Sequence, residues 1–191
     1  LNYKTAIGNN QTIYFAGLER TWVSGQAVDV FKLRSINSTN GTTMQESTYT
    51  LADTGTPSID DIKFNPTNNH LYISYLSSYP DQNEVVLEFD ANFNLVNQAR
   101  LAYAYDNLSA WVKSEIVVRD SGNLIFIYTN YKNESENGNL YVVNFTSDLT
   151  INGTLELNVE PKNSSESFSN FLMYDNAKLL ITGCIPNPNP A

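Results

Sequence analysis

Cysteine and histidine occur once each in the 191 residues, as Cys184 and His70. One of each cannot build a zinc site, which needs several thiolate or imidazole ligands. Nor is this a disulfide scaffold, so stability must come from a hydrophobic core. A Ser-His-Asp or Cys-His catalytic set would have to run through His70. That residue stands beside Asn68 and Asn69, where a solvated polar residue opening a strand is expected. Cations are scarce: 11 Lys and Arg against 20 Asp and Glu give a net charge of −9, with no basic run. Phosphate neutralisation needs clustered cations, so nucleic acid is excluded as a partner. An anionic membrane surface is excluded on the same ground. No stretch approaches the roughly 18 to 20 apolar residues of a transmembrane helix, so no membrane insertion is expected. There is no glycine-rich phosphate loop. No segment of ten or more residues combines a helical period with caps.

Neutral amides and hydroxyls are abundant instead. The chain holds 26 asparagines, 17 serines and 16 threonines. The acceptor motif for N-glycans, Asn-X-Ser/Thr with X not proline, occurs eight times: Asn10, Asn37, Asn40, Asn107, Asn133, Asn144, Asn152 and Asn163. Asn37 and Asn40 lie in a turn-forming stretch, and Asn107, Asn133 and Asn163 fall between apolar runs. Asn144 sits inside a strand-like run. The expectation is a secreted or cell-surface glycoprotein. In such a chain the unpaired Cys184 reads as an intermolecular disulfide or as the partner of a cysteine elsewhere in a longer polypeptide, with a buried free thiol as the alternative.

Four apolar runs recur at a near-constant interval. They are Ile13-Tyr14-Phe15-Ala16-Gly17, Leu71-Tyr72-Ile73-Ser74-Tyr75, Leu124-Ile125-Phe126-Ile127-Tyr128 and Leu179-Leu180-Ile181-Thr182-Gly183, with starts 58, 53 and 55 residues apart. Each follows a short polar turn. Flanking runs repeat as well: Ile62-Lys63-Phe64, Ile116-Val117-Val118 and Phe171-Leu172-Met173 precede the turns. Val85-Val86-Leu87-Glu88-Phe89 and Leu140-Tyr141-Val142-Val143 follow them, and then polar alternating segments. Short β-branched and aromatic runs bounded by Asn, Asp, Gly and Ser predict strands. The fold class is therefore all-β, in four-stranded units of about 55 residues near 1–52, 53–105, 106–161 and 162–185. Residues 1–185 form the repeat domain, and the alternating prolines of 186–191 read as a linker or tail.

Phe64-Asn65-Pro66-Thr67-Asn68-Asn69-His70-Leu71-Tyr72-Ile73 resembles the first turn of a generic YVTN- or NHL-like β-propeller blade. Phe89-Asp90-Ala91-Asn92-Phe93-Asn94-Leu95 resembles the turn between the last two strands of such a blade. The resemblance implies a partial or assembled β-propeller; the alternative architecture is a β-sandwich. Three units and half of a fourth are fewer than a closed ring requires. The expectation is that the chain is part of a longer one or completes its sheets with a neighbouring copy through open edges.

Other chemistry is sparse. Asp90, Asn92 and Asn94 have the 1-3-5 oxygen spacing of a calcium loop, but Leu95 and Leu101 stand where its glycine and closing glutamate belong, so a hairpin turn is expected. Glu134, Glu136 and Asn137 form another acidic turn. Carboxylate candidates for glycoside chemistry are Glu19, Asp29, Asp60, Asp61 and Glu115, with no spacing that singles out a pair. Trp22, in an expected Arg20-Thr21-Trp22 turn, and Tyr103, Tyr105 and Trp111 are candidates for ligand contact. No cofactor is expected. Three functions fit these features: a non-enzymatic structural or adhesive glycoprotein able to self-assemble into a surface layer or filament, a propeller module that binds glycans or surface proteins, and a carbohydrate-active enzyme.

Overall fold

The structure is a computed structural model, and it describes residues 3–51, 57–77, 83–102, 114–131, 138–158, 167–175 and 178–184. Among these residues it is all-β. Four strands make the first sheet: β1 (Tyr3–Ile7), β2 (Thr12–Val23), β3 (Gln26–Asn37) and β4 (Thr43–Thr50). The second holds β5 (Ser58–Asn65), β6 (His70–Leu76), β7 (Asn83–Phe89) and β8 (Leu95–Ala102). The third holds β9 (Ser114–Val118), β10 (Leu124–Tyr131), β11 (Gly138–Phe145) and β12 (Ile151–Asn158). A two-stranded sheet follows, β13 (Ser167–Asp175) with β14 (Lys178–Cys184). Every sheet is an antiparallel meander in chain order. First strands of successive sheets lie side by side, β1 beside β5, β5 beside β9 and β9 beside β13. The arrangement fits blade-like repeats and stacked sheets alike.

The middle sheet explains the nearly continuous apolar runs. A strand turns successive side chains to opposite faces. Leu71, Ile73, Tyr75, Val85, Leu87 and Phe89 join a core with Ala6, Ala16, Phe31 and Leu33 of the first sheet. The intervening Tyr72 and Val86 join a second core with Ile116, Leu124, Phe126, Val143 and Phe145 of the third. Both faces are covered, so both sets must be apolar. Aromatic pairs lock the first seam: Tyr14 stacks on Phe64 at 5.3 Å, and Phe31 meets Tyr75 edge-on at 5.4 Å. The outer strand β4 alternates exposed and half-buried residues, as a solvated edge requires.

Turns repeat in detail. In the β7–β8 turn Phe93 N–H donates to the Asp90 carbonyl and Asp90 N–H to the Asn94 carbonyl; Leu149, Thr146 and Thr150 repeat this between β11 and β12. Phe93 and Leu149 both sit at φ 60° and are buried, each as an apolar plug under its turn. The strain of a bulky residue at positive φ is offset by that burial. Gly41, at φ 71°, stands in the turn of the first sheet and carries no plug.

One expectation is corrected. Trp22 lies in strand β2, paired with Ala27, and not in a turn. The chain reverses two residues later, at Ser24 and Gly25, whose φ values of 52° and 82° suit the tight hairpin that matches strand twist. The hairpin therefore extends the strands further than the apolar pattern alone suggests.

Candidate functional site

The sheets present two unlike ends. One carries the turns between first and second strands and between third and fourth strands. All five described acceptor asparagines lie there: Asn10 in the β1–β2 turn, Asn37 and Asn40 at the β3–β4 turn, and Asn144 and Asn152 about the β11–β12 turn. Asn10, Asn40 and Asn152 are exposed, and Asn37 and Asn144 are half-buried. Asn152 is the extra residue of a bulge between β11 and β12. The Asn37 and Asn40 side chains each accept a backbone N–H two residues on, from Thr39 and Thr42, and Asn40 also accepts the Thr42 hydroxyl at 2.8 Å. Asn107, Asn133 and Asn163 lie outside the described residues, as do Tyr103, Tyr105, Trp111, Glu134, Glu136 and Asn137. The backbone of Cys184 pairs with Ser167 at the end of β14; its side chain lies outside the described set.

This end is also where the second and third sheets interlock. Asn65 Nδ2 donates to the Gly122 carbonyl at 2.8 Å. Glu88, buried on the face toward the third sheet, accepts hydrogen bonds from Asn97 Nδ2 at 2.7 Å and from the Tyr72 hydroxyl at 2.7 Å, and lies 2.7 Å from His70 Nδ1. The Tyr72 oxygen also lies 2.7 Å from the Ser147 carbonyl and accepts from Asn68 Nδ2 at 2.8 Å. His70 thus belongs to a buried polar clasp. Burial pushes the Tyr72 phenol far above its ordinary value. The Asp90 turn is closed upon itself: Oδ1 accepts the Asn92 and Asn94 N–H groups, and Oδ2 accepts Asn94 Nδ2. Slight burial raises its pKa, and the Asn94 and Asn92 donors outweigh that and hold it below the usual range.

At the opposite end the sequence candidates separate. Asp29 forms a two-point ion pair with Arg20, both bonds 2.9 Å, at the base of the β2–β3 hairpin. Beyond that brace Trp22 is 72% exposed. Glu19 pairs in register with Val30 and is exposed. Asp61 accepts the Ile116 N–H across the sheet seam at 2.9 Å, and Lys63 bridges Asp61 and Glu115 at 3.3 and 3.7 Å.

Asp60 behaves differently. It is the extra residue of a bulge, because Ile59 pairs with Tyr75 while Asp61 pairs with the next residue, Ser74. Bulges re-aim side chains. The one proton of the Ser114 hydroxyl is shared between Asp60 Oδ2 at 3.3 Å and Ser74 Oγ at 3.4 Å. Burial pushes the Asp60 carboxyl up to about 7; Ser114 and Lys4 pull it down, and Asp61 pushes it further up. Glu84, at the start of β7, has no exposure at all, and among the described residues neither carboxylate oxygen has a hydrogen-bond partner. Burial raises its pKa well above the ordinary value, the charge of Asp60 raises it further, and the nearby Ser114 hydroxyl pulls it partly back. Sequence reasoning found Asp60 but missed Glu84, which reads as the polar lip of an apolar run. The half-buried Asp60 and the fully buried Glu84 lie on the side where the second sheet meets Ser114 of the third.

Among the described residues, fold and surfaces define an all-β protein of three consecutive four-stranded antiparallel sheets and a two-stranded one, with the described acceptor asparagines in or beside turns. The chain matches no known protein family and no curated protein by sequence.

Proposed function

We propose that this is a non-enzymatic, N-glycosylated extracellular protein with a structural or adhesive role, built as blades of a partial or assembled β-propeller. The observation that carries this is that the five described acceptor asparagines lie in or beside turns, with Asn10, Asn40 and Asn152 exposed. Glycans on turns leave the strand edges bare for contacts. The partner under this reading is another copy of the chain or a further stretch of the same polypeptide, adding strands at a sheet edge. Head-to-tail addition of copies would propagate into a filament or surface layer unless a ring closes.

Expression in a eukaryotic secretory host, followed by glycopeptide mass spectrometry, tests the reading. At least four of the eight asparagines should carry glycans. Light scattering and negative-stain imaging of the same material should show assemblies larger than one chain. Unmodified asparagines throughout, on a monodisperse monomer, would defeat it.

A second reading, a module that binds glycans or surface proteins, is favoured by Trp22. A large exposed indole on a hairpin braced by an ion pair is a pre-organised contact surface. Loss of binding to a glycan array in Trp22→Ala, with melting unchanged, would select it.

A further inference from the structure

Glu84 poses a problem that a proton alone does not solve. A neutral carboxyl still has an O–H to donate and a carbonyl to satisfy, and among the described residues neither oxygen has a hydrogen-bond partner. An ionised carboxylate without a partner is costlier still. Asp60 and Ser114 act on Glu84 directly, Ser74 is tied to it through Ser114, and the set draws on four strands. Asp60 comes from the bulge of β5, Ser74 from β6, Glu84 from β7 and Ser114 from β9 of the next sheet. Ser74 and Ser114 are buried too. The spacings of 3.3 and 3.4 Å about Ser114 exceed those of ordinary O–H···O bonds, so this cradle is looser than a closed network. The nearby cation Lys63 is already shared by Asp61 and Glu115. Lys4 offers Asp60 only a longer-range attraction.

We infer that Asp60, Glu84, Ser74 and Ser114 form a binding site for a hard divalent cation of the calcium type, placed in the seam between the second and third sheets. Two carboxylates and two hydroxyls offer up to about six oxygens, and calcium takes roughly six to eight. The donor set is entirely oxygen, which selects against zinc and copper. Among the described residues no third histidine, cysteine or carboxylate joins the pair. Water must therefore complete the shell, and affinity belongs in the submillimolar to millimolar range of extracellular modules. A cation there neutralises both carboxylates and ties β9 to β5 and β7, so its binding is coupled to the docking of one sheet on the next.

The test is thermal unfolding of the intact chain at pH 7.5, stripped with EDTA, against calcium up to 10 mM. Arms with magnesium and with sodium at matched ionic strength separate specific binding from screening. With a dissociation constant near 1 mM, about 10 mM calcium favours the folded state roughly tenfold. The melting temperature should rise and saturate in the wild type and in the control Glu46→Gln, whose carboxylate is exposed. It should not rise in Glu84→Gln. Should Glu84→Gln fail to fold, Ser114→Ala replaces it, and calorimetric titration of the wild type with calcium reads binding directly. No calcium effect beyond matched sodium, an undiminished effect in the variants, or no calorimetric binding at 10 mM would each overturn the site. A wild type indifferent to calcium but increasingly stable from pH 8 to pH 5 would assign the pair to a shared proton instead.

Discussion

Tyr72→Phe isolates the clasp between the second and third sheets. The substitution removes one oxygen from a fully buried ring and leaves the apolar packing of the ring in place. That oxygen lies 2.7 Å from Glu88 Oε1, 2.7 Å from the Ser147 carbonyl and 2.8 Å from Asn68 Nδ2. A hydrogen bond to a charged group is worth roughly 1.5–3 kcal/mol, and leaving its buried partner short costs a similar amount. Glu88 keeps Asn97 and His70, and the half-buried Ser147 can take water, so the lower part of that range applies. The expected loss is about 2 kcal/mol. For a chain of this length that lowers the melting temperature by roughly 4–8 °C. Urea unfolding followed by tryptophan fluorescence gives the free energy, and an unchanged slope would show that the same surface is exposed. Tyr3→Phe, on an exposed ring, serves as the reference and should stay within about 0.5 kcal/mol. A loss for Tyr72→Phe no larger than that reference would mean that the clasp does not hold the sheets together.

Gly122→Ala should destabilise by about 1–2 kcal/mol, because φ is 84° and a new Cβ would meet Thr67 at 3.0 Å; adding Thr67→Ala should recover only the steric part in the same urea assay. Arg20→Ala strands the buried Asp29 charge; with the arginine 44% exposed the cost is about 1–2 kcal/mol. Adding Asp29→Ala should recover part of that, and a purely additive double variant would refute the coupling. Asp90 titrates below its unfolded value, so its contribution is present above about pH 4 and is lost as pH falls through the folded pKa. Melting of Asp90→Ala should therefore fall less steeply between about pH 4 and pH 2 than that of the wild type, and parallel curves would refute this.

Strand content and its grouping were legible because the repeat imposes one pattern on every unit. Val85-Val86-Leu87 is continuous where both faces are covered, and β4 alternates where one face meets water. The hairpin reading of the Asp90 turn rested on Leu95 and Leu101 standing where a calcium loop needs its glycine and closing glutamate; the structure shows the aspartate closing that turn with the N–H groups that follow. What stayed hidden depends on neighbours that are distant in sequence. Glu88 and Glu84 share a face by alternation, yet Glu88 is fully partnered while among the described residues neither Glu84 oxygen has a hydrogen-bond partner. That difference comes from His70, Tyr72 and Asn97 at one end of the strand and their lack at the other. The bulge that turns Asp60 inward is a one-residue shift of register against β6, and no hydrophobic count detects such a shift. Trp22 was misread because apolar periodicity fades before the Ser24-Gly25 reversal.

The chain-order meander carries a consequence for how the protein comes into being. Each ladder joins strands that are consecutive in sequence, so a sheet can form as soon as its own stretch leaves the ribosome or translocon. Closure entropy is small for such short connections, and nascent sheets should form early and one at a time. The first sheet has only one face to bury against its successor. The second emerges with two apolar faces, of which the earlier sheet covers one, and the other stays bare while the third is still being made. For that interval the face bearing Val86 and Tyr72 is the stickiest surface of the growing chain, and slow elongation through residues 103–145 would lengthen its exposure to wrong partners.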